Sequence, residues 1–269
     1  MKEATTEDVK KVLLAIMDSI DSFCRENGIV YYLYYGSLLG AVRHQGFIPW
    51  DDDMDIAMPR ADYERFIRLF NQKTAGRYRT VSIDDETKYC YAFAKVIDTG
   101  TLLVEETAER IEMGIYVDVF PIDVVPADPA RQQKLLAQTK RYIDLFNAKI
   151  IPVRRGRCFW KNGLLVLAHV VLSGIKLESI ARKIVSLNAS YADWPGEKCA
   201  ANMTLLVYGG REVVDPEWLR DALDTPFEGR TYRIPAGYDS VLRKLYGNYM
   251  ELPPVEKRVT HHHYKAYMK

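Results

Sequence analysis

Apolar residues recur at helical spacing from Val9 through Leu13, Ile16, Met17 and Ile20 to Phe23, and Asn27-Gly28 supplies a stop. The pattern predicts an amphipathic helix over residues 6–27 with its stripe against a core. Residues 29–35 form an unbroken apolar and aromatic run, short and rich in strand formers. It reads as a strand buried on both faces and closed by Gly36, after which Ser37 caps a helix through Leu38, Leu39, Ala41 and Val42. Gln45-Gly46 and Pro49 interrupt the chain, and residues 51–58 then end in polar-apolar alternation, the mark of a half-exposed strand that Pro59 terminates. Further on, the pattern gives a helix over 61–70, strands over 89–97, 101–105 and 115–120, and punctuation by Pro121, Pro126 and Pro129. Helices follow over 130–149, 162–175 and 178–191, and the last third mixes turns with a helix over 238–246. There is no internal repeat or low-complexity tract.

The twelve mostly apolar residues 164–175 fall short of the ~20 needed to span a bilayer. A core helix beside a solvated basic loop is the favoured reading. Peripheral contact with an anionic membrane surface stays open, because Arg154, Arg155, Arg157, Trp160 and Lys161 flank the run. The chain has 269 residues, 48% hydrophobic and 27% charged, which excludes disorder for the bulk. Lys plus Arg number 37 against 36 Asp plus Glu, so no whole-molecule field draws it to nucleic acid, and none is expected as a partner. Cys24, Cys90, Cys158 and Cys199 are far apart and read as reduced thiols. With Glu3, Glu7 and Asp8 and no apolar stretch near the start, the expected location is cytoplasmic, with the inner face of the membrane as an option.

Asp53-Met54-Asp55 concentrates the chemistry. Residues two apart on a strand share a face, about 6.5–7 Å apart, and Asp51 has the same parity. Met54, Ile56 and Met58 face the other way. Converging carboxylates repel one another, and a hard cation is the usual remedy, Mg²⁺ or Mn²⁺. Val117-Asp118-Val119 offers a third carboxylate from a neighbouring strand, and two ions ~4 Å apart would hold the attacking and leaving oxygens of a phosphoryl transfer. Gly36-Ser37, where a strand turns into a helix, suits a phosphate. Together these make a three-part signature of nucleotidyltransferase-like phosphoryl transfer. A calcium loop needs Gly and Glu where Ile56 and Asp62 stand. An aspartyl-phosphate enzyme leaves Gly36-Ser37 unexplained, and a plain acidic turn seldom sits between Trp50 and an apolar strand.

Lys95 lies among Tyr91, Phe93 and Ile97, where a charge calls for an anion; a donor phosphate is one reading and snorkelling to solvent the other. Arg43 is a substrate candidate beside a reading in which it only favours a helix C-terminus. No serine or cysteine nucleophile has a convincing base, which favours direct attack by an acceptor hydroxyl. The base is open between the clustered aspartates and Asp123. Tyr32, Tyr34 and Tyr91 offer faces for a quaternary ammonium.

The stretch Tyr35-Gly36-Ser37-Leu38-Leu39-Gly40-Ala41-Val42-Arg43-His44, with Phe47-Ile48-Pro49-Trp50-Asp51-Asp52-Asp53-Met54-Asp55-Ile56, resembles the LicD family. The likeness continues through residues 94–98, 117–123, Leu245-Tyr246-Gly247 and the histidines after it. LicD proteins are bacterial phosphocholine transferases related to the fukutin-related proteins and the polymerase-beta-like nucleotidyltransferases. The resemblance implies an α/β (α+β) nucleotidyltransferase core with a mixed sheet over residues 1–125 and a mostly helical C-terminal region over 126–269 that completes the pocket. It implies a CDP-choline or similar CDP-alcohol donor, CMP as product, and a glycan, lipopolysaccharide or teichoic-acid precursor as acceptor. Asp53, Asp55 and Asp118 would be the catalytic carboxylates and, with Asp51, the ligands of a pair of Mg²⁺ or Mn²⁺ ions; Gly36 and Ser37 would form the phosphate-side turn. His261, in a run of three histidines, is read as a substrate contact. Two competing readings are a nucleotidyltransferase that moves the nucleotide itself and a non-catalytic nucleotide- or glycan-binding protein.

Overall fold

The computed structural model describes residues 1–74, 76–84, 89–154, 158–260 and 264–269. After a two-residue strand β1 (Lys2–Glu3) comes α1 (Thr6–Asn27), which Thr5 opens through a reciprocal box with Asp8 and Gly28 closes in the left-handed region. Then follow β2 (Tyr32–Leu33), α2 (Tyr35–His44), β3 (Asp55–Pro59), α3 (Arg60–Lys73), β4 (Tyr78–Val81), β5 (Ala94–Asp98), β6 (Thr101–Glu105), β7 (Ile111–Met113) and β8 (Tyr116–Pro126). Beyond these are α4 (Pro129–Ile150), α5 (Phe159–Val171), α6 (Leu177–Ala189), β9 (Lys198–Ala201), the hairpin β10 (Ala222–Phe227) and β11 (Arg230–Pro235), α7 (Tyr238–Tyr246) and β12 (Tyr264–Met268).

The central sheet runs β2-β3-β8-β5-β4, with β9 on the far half of β8. It is mixed: β3 and β8 are parallel and the other pairs antiparallel. The fold is therefore α+β. Helices α1 and α3 pack on the sheet and on each other, with Phe23 edge-on to Phe66 and Phe70 at 5.8 and 5.1 Å. Met54, Ile56 and Met58 are buried, as their parity requires. A second antiparallel sheet, β1-β12-β6-β7, returns the end of the chain to its beginning. Helices α4 and α6 pair over a separate apolar cluster that includes Val125, Leu135, Ile143, Ile180 and Ile184.

Several sequence expectations are corrected. The buried run 29–35 yields only Tyr32–Leu33 as strand, because α2 begins at Tyr35, whose φ of 43° turns the chain before Gly36 can. Ser37 therefore lies inside the first turn and is not the cap. Strand β3 is buried at four of its five positions rather than half-exposed, covered on both faces. The strand expected to stop at 120 continues as β8 through Pro121 to Pro126. On that edge β5 pairs as far as Val119 and β9 begins at Asp123, so Pro121 falls in the gap, where its missing N–H costs no ladder bond. The strand over 89–97 shrinks to β5. Helix α5, expected in a core, has no buried residue. All four cysteines are unpaired.

Candidate active site

Register brings the main groups together. Asp55 on β3 sits opposite Asp118 on β8, and Asp118 sits opposite Lys95 on β5, so two carboxylates and an ammonium form a row across three strands. Lys95 Nζ donates to Asp118 Oδ1 at 2.6 Å. Asp53 precedes the strand, yet it faces the same cleft as Asp55. Asp51, Asp53, Asp55 and Asp118 all line one cleft of about 970 Å³. Burial, and next the negative charges of Asp53, Asp118 and Asp51, push the Asp55 carboxyl well above the usual carboxylate range, with Lys95 pulling it back.

The N-terminus of α2 opens on the same cleft through Tyr35 and Gly36. A Cβ at Gly36 would stand 2.8 Å from Asp51 Oδ2, so a larger residue there would make the Asp51 carboxylate shift. Ser37 is a support rather than a wall residue: its hydroxyl accepts the Asp55 backbone N–H at 2.9 Å and ties the start of β3 to α2. Arg43 does line the cleft, but its guanidinium donates to the Tyr249 carbonyl at 2.7 Å and to His44 Nε2 at 3.0 Å. It thereby fastens the 248–254 loop that forms the cleft's outer wall.

Lys95 is almost fully buried and is not among the described residues that line the cleft. The anion it meets within the chain is Asp118, and it does not snorkel; its ammonium lies 3.4 Å from the Tyr116 ring centre, with Tyr91 and Phe93 close by. Asp123, offered as a base, is clamped by Arg60 at 2.7 and 2.8 Å and lines a different hollow. His261 lies outside the described residues, as do Arg155 and Arg157.

The aromatic wall of the cleft is invisible to sequence reasoning. Tyr32, Tyr34 and Tyr91 are buried or half-buried behind the cleft, whereas Tyr35, Phe120, Tyr208 and Tyr246 line it as a continuous chain of rings. Centre-to-centre distances are 5.5 Å for Phe120 and Tyr35, 6.1 Å for Tyr35 and Tyr208, and 5.1 Å for Tyr208 and Tyr246. Burial raises the Tyr208 and Tyr246 hydroxyls, and the charge of Asp55 in the same cleft adds a smaller push. Behind it, the Tyr35 hydroxyl donates to buried Glu212 and accepts from Asn202 Nδ2 at 3.0 Å, while the Tyr208 N–H donates to Glu212 Oε1 at 2.8 Å. These bonds fix the Tyr35 ring, and the residue's positive φ is a strain of the kind found at functional sites. Nothing local in the sequence joins Tyr35 to residues some 170 positions away.

The donor set suits a hard divalent cation, since every candidate is a carboxylate oxygen and Asp55 is raised by burial and then by its like-charged neighbours. Among the described residues, however, no three His, Cys, Asp or Glu side chains close into a cage able to hold a metal by themselves. That departs from the expected three-ligand cluster. It remains compatible with Mg²⁺, which is commonly held by one or two carboxylates together with water and substrate phosphate.

Residues 28–154 match the family described as LicD/FKTN/FKRP, nucleotidyltransferase domain. Across its full length the chain is 30% identical to the full length of the lipopolysaccharide cholinephosphotransferase LicD of Haemophilus influenzae. An uncharacterized protein of Rickettsia prowazekii is 46% identical over 78 residues, 29% of each chain. The mannosyltransferase regulator 4 of Saccharomyces cerevisiae is 24% identical over 115 residues, 40% of this chain and 9% of that one.

Proposed function

The chain belongs to the LicD family, and from that membership and its cleft we propose that it transfers phosphocholine, or a similar phospho-alcohol, from a CDP-linked donor to a hydroxyl of a cell-surface glycan precursor. The observation that carries the reading is that four carboxylates, a helix N-terminus and a wall of aromatic rings share one cleft. The first two suit a diphosphate and its cation; the third suits a quaternary ammonium. The relative from Haemophilus acts, by its name, on lipopolysaccharide, which makes a lipopolysaccharide precursor the first acceptor to try and a teichoic-acid precursor the second.

In the reaction the acceptor oxygen forms a bond to the phosphorus that carries choline, the bond from that phosphorus to the bridging oxygen breaks so that CMP leaves with the oxygen, and the hydroxyl proton passes to water. One or two of the cleft carboxylates Asp53, Asp55, Asp118 and Asp51, with water and the donor phosphates, would hold Mg²⁺ or Mn²⁺, which supplies charge neutralisation at the phosphoryl oxygens. Gly36 and the first turn of α2 would receive phosphate oxygens. Tyr35, Tyr208 and Tyr246 would orient the ammonium, and the loop pinned by Arg43 would limit water.

The test is CMP release from CDP-choline by the purified protein with Mg²⁺ or Mn²⁺, with lipopolysaccharide or teichoic-acid fractions, beside an Asp53→Ala, Asp55→Ala double variant. Metal-dependent release that the variant loses supports the reading. A nucleotidylated acceptor in place of CMP would point to transfer of the nucleotide. Nucleotide binding without turnover on any acceptor would point to a binding protein.

A further inference from the structure

Helix α5 is built inside out. None of its thirteen residues is buried, although every other α-helix carries buried side chains. Trp160, Leu164, Leu167 and Val171 follow at helical intervals as one stripe and are 59%, 58%, 59% and 68% exposed, and Phe159 beside them is 92% exposed. The polar residues take the sheltered side. Asn162 Nδ2 donates to the Arg154 carbonyl at 2.9 Å, and Asn162 Oδ1 and His169 Nε2 are buried atoms without a hydrogen-bond partner among the described residues. A water-facing helix places its residues the other way round.

The charge around this face selects its partner. Between Asp144 and Glu178 the sequence carries six Lys and Arg residues and not one Asp or Glu, in a chain whose net charge is +1. Lys149 and Arg154 are bridged to Glu109 and Glu106, while Lys161 lies in the first turn of α5 and Lys176 follows shortly after its end. A second copy docked on this face about a two-fold axis would bring like charges together. An anionic bilayer meets them with opposite charge. Thirteen residues rise about 20 Å, less than the ~30 Å of a hydrocarbon core. No helix among the described residues is long and apolar enough to cross a membrane.

We propose that α5 is an interfacial helix that lies on an anionic membrane surface, with Trp160, Leu164, Leu167 and Val171 in the acyl boundary and Lys161 and Lys176 at the level of the headgroups. This does not depend on which group the cleft transfers.

The experiment is co-sedimentation of the full chain with vesicles of phosphatidylcholine alone or with about 30% phosphatidylglycerol, at low and high salt. The wild type pellets with the anionic vesicles and is released by salt. Leu164→Glu, Leu167→Glu lowers the partition coefficient at least about tenfold, because each leucine loses its apolar transfer. Lys161→Glu, Lys176→Glu removes the preference for the anionic lipid. Both variants retain the wild-type Tm, since the altered side chains touch no core. Absence of wild-type binding to anionic vesicles overturns the proposal. So does sedimentation velocity showing a dimer that Leu164→Glu, Leu167→Glu converts to monomer while vesicles bind neither protein.

Discussion

Glu212 is the buried carboxyl on which Tyr35 hangs, and it makes stability depend on pH in a direction opposite to an ordinary paired carboxylate. Burial raises it from an ordinary value of 4.5 to about 7, against hydrogen bonds from Tyr35 and the Tyr208 N–H that pull it down. The folded state therefore holds the proton more tightly than the unfolded state. The resulting stability is fully present below about pH 4.5 and is lost as pH rises through about 7. The gap is worth about 3 kcal/mol in all, of which about 2.5 kcal/mol falls between pH 5 and pH 8. Glu212→Gln has no proton to lose and keeps an oxygen for the Tyr208 N–H. Urea unfolding of both proteins at several pH values across that range isolates the effect, because other titrating groups largely cancel in the difference. Wild type should lose about 2.5 kcal/mol relative to the variant on going from pH 5 to pH 8. A difference that stays flat, or that runs the other way, would refute the assignment of Glu212 as a carboxyl whose ionisation is opposed by burial.

Asp55→Asn should abolish transfer, with CMP release falling roughly 100-fold or more, yet raise Tm by roughly 2–4 °C because it removes one of the crowded charges; melting and turnover measured on one preparation check both. Lys95→Met leaves Asp118 facing Asp55 without its cation and should cost about 3–5 kcal/mol in chemical denaturation, much of it recovered when Asp118→Asn is added. Gly36→Ala sets a methyl group against Asp51 Oδ2, so CMP release should fall about tenfold while Tm hardly moves; a normal rate would show that the approach has slack.

Elements whose signals are local are legible in the sequence. The stripe from Val9 to Phe23 and the stop at Gly28 mark α1, and β6 and α7 coincide with their patterns. The expectation that Asp51, Asp53 and Asp55 share a face also survives, although β3 starts only at Asp55, since all three line one cleft. What depends on distant partners is not legible. Pro121 looks like a strand terminator until the gap between β5 and β9 is known. Tyr35 looks like the end of a strand until Glu212 and Asn202 are seen holding it. The hairpin β10-β11 escapes the pattern because Pro226 and exposed polar residues mask its alternation; only Phe227, which meets Phe47 at 5.1 Å, and the turn at Glu228 and Gly229 betray it. Lys95 visibly needs an anion, but the sequence alone does not distinguish a carboxylate of the chain from a ligand.

Strand β1 joins its sheet only through β12, with Lys2 opposite Met268 and Glu3 opposite Tyr267. During synthesis Lys2–Glu3 must therefore wait for residues 264–268, about 260 positions later, an interval on the order of tens of seconds. Until then β6 also lacks its β12 neighbour, and an open edge is a template for pairing with other chains. Closing this sheet is the longest-range step of folding, and the slowest kind by topology. Without β12, β1 and β6 therefore lose a partner together, so one missing strand leaves two separate segments unpaired on that side.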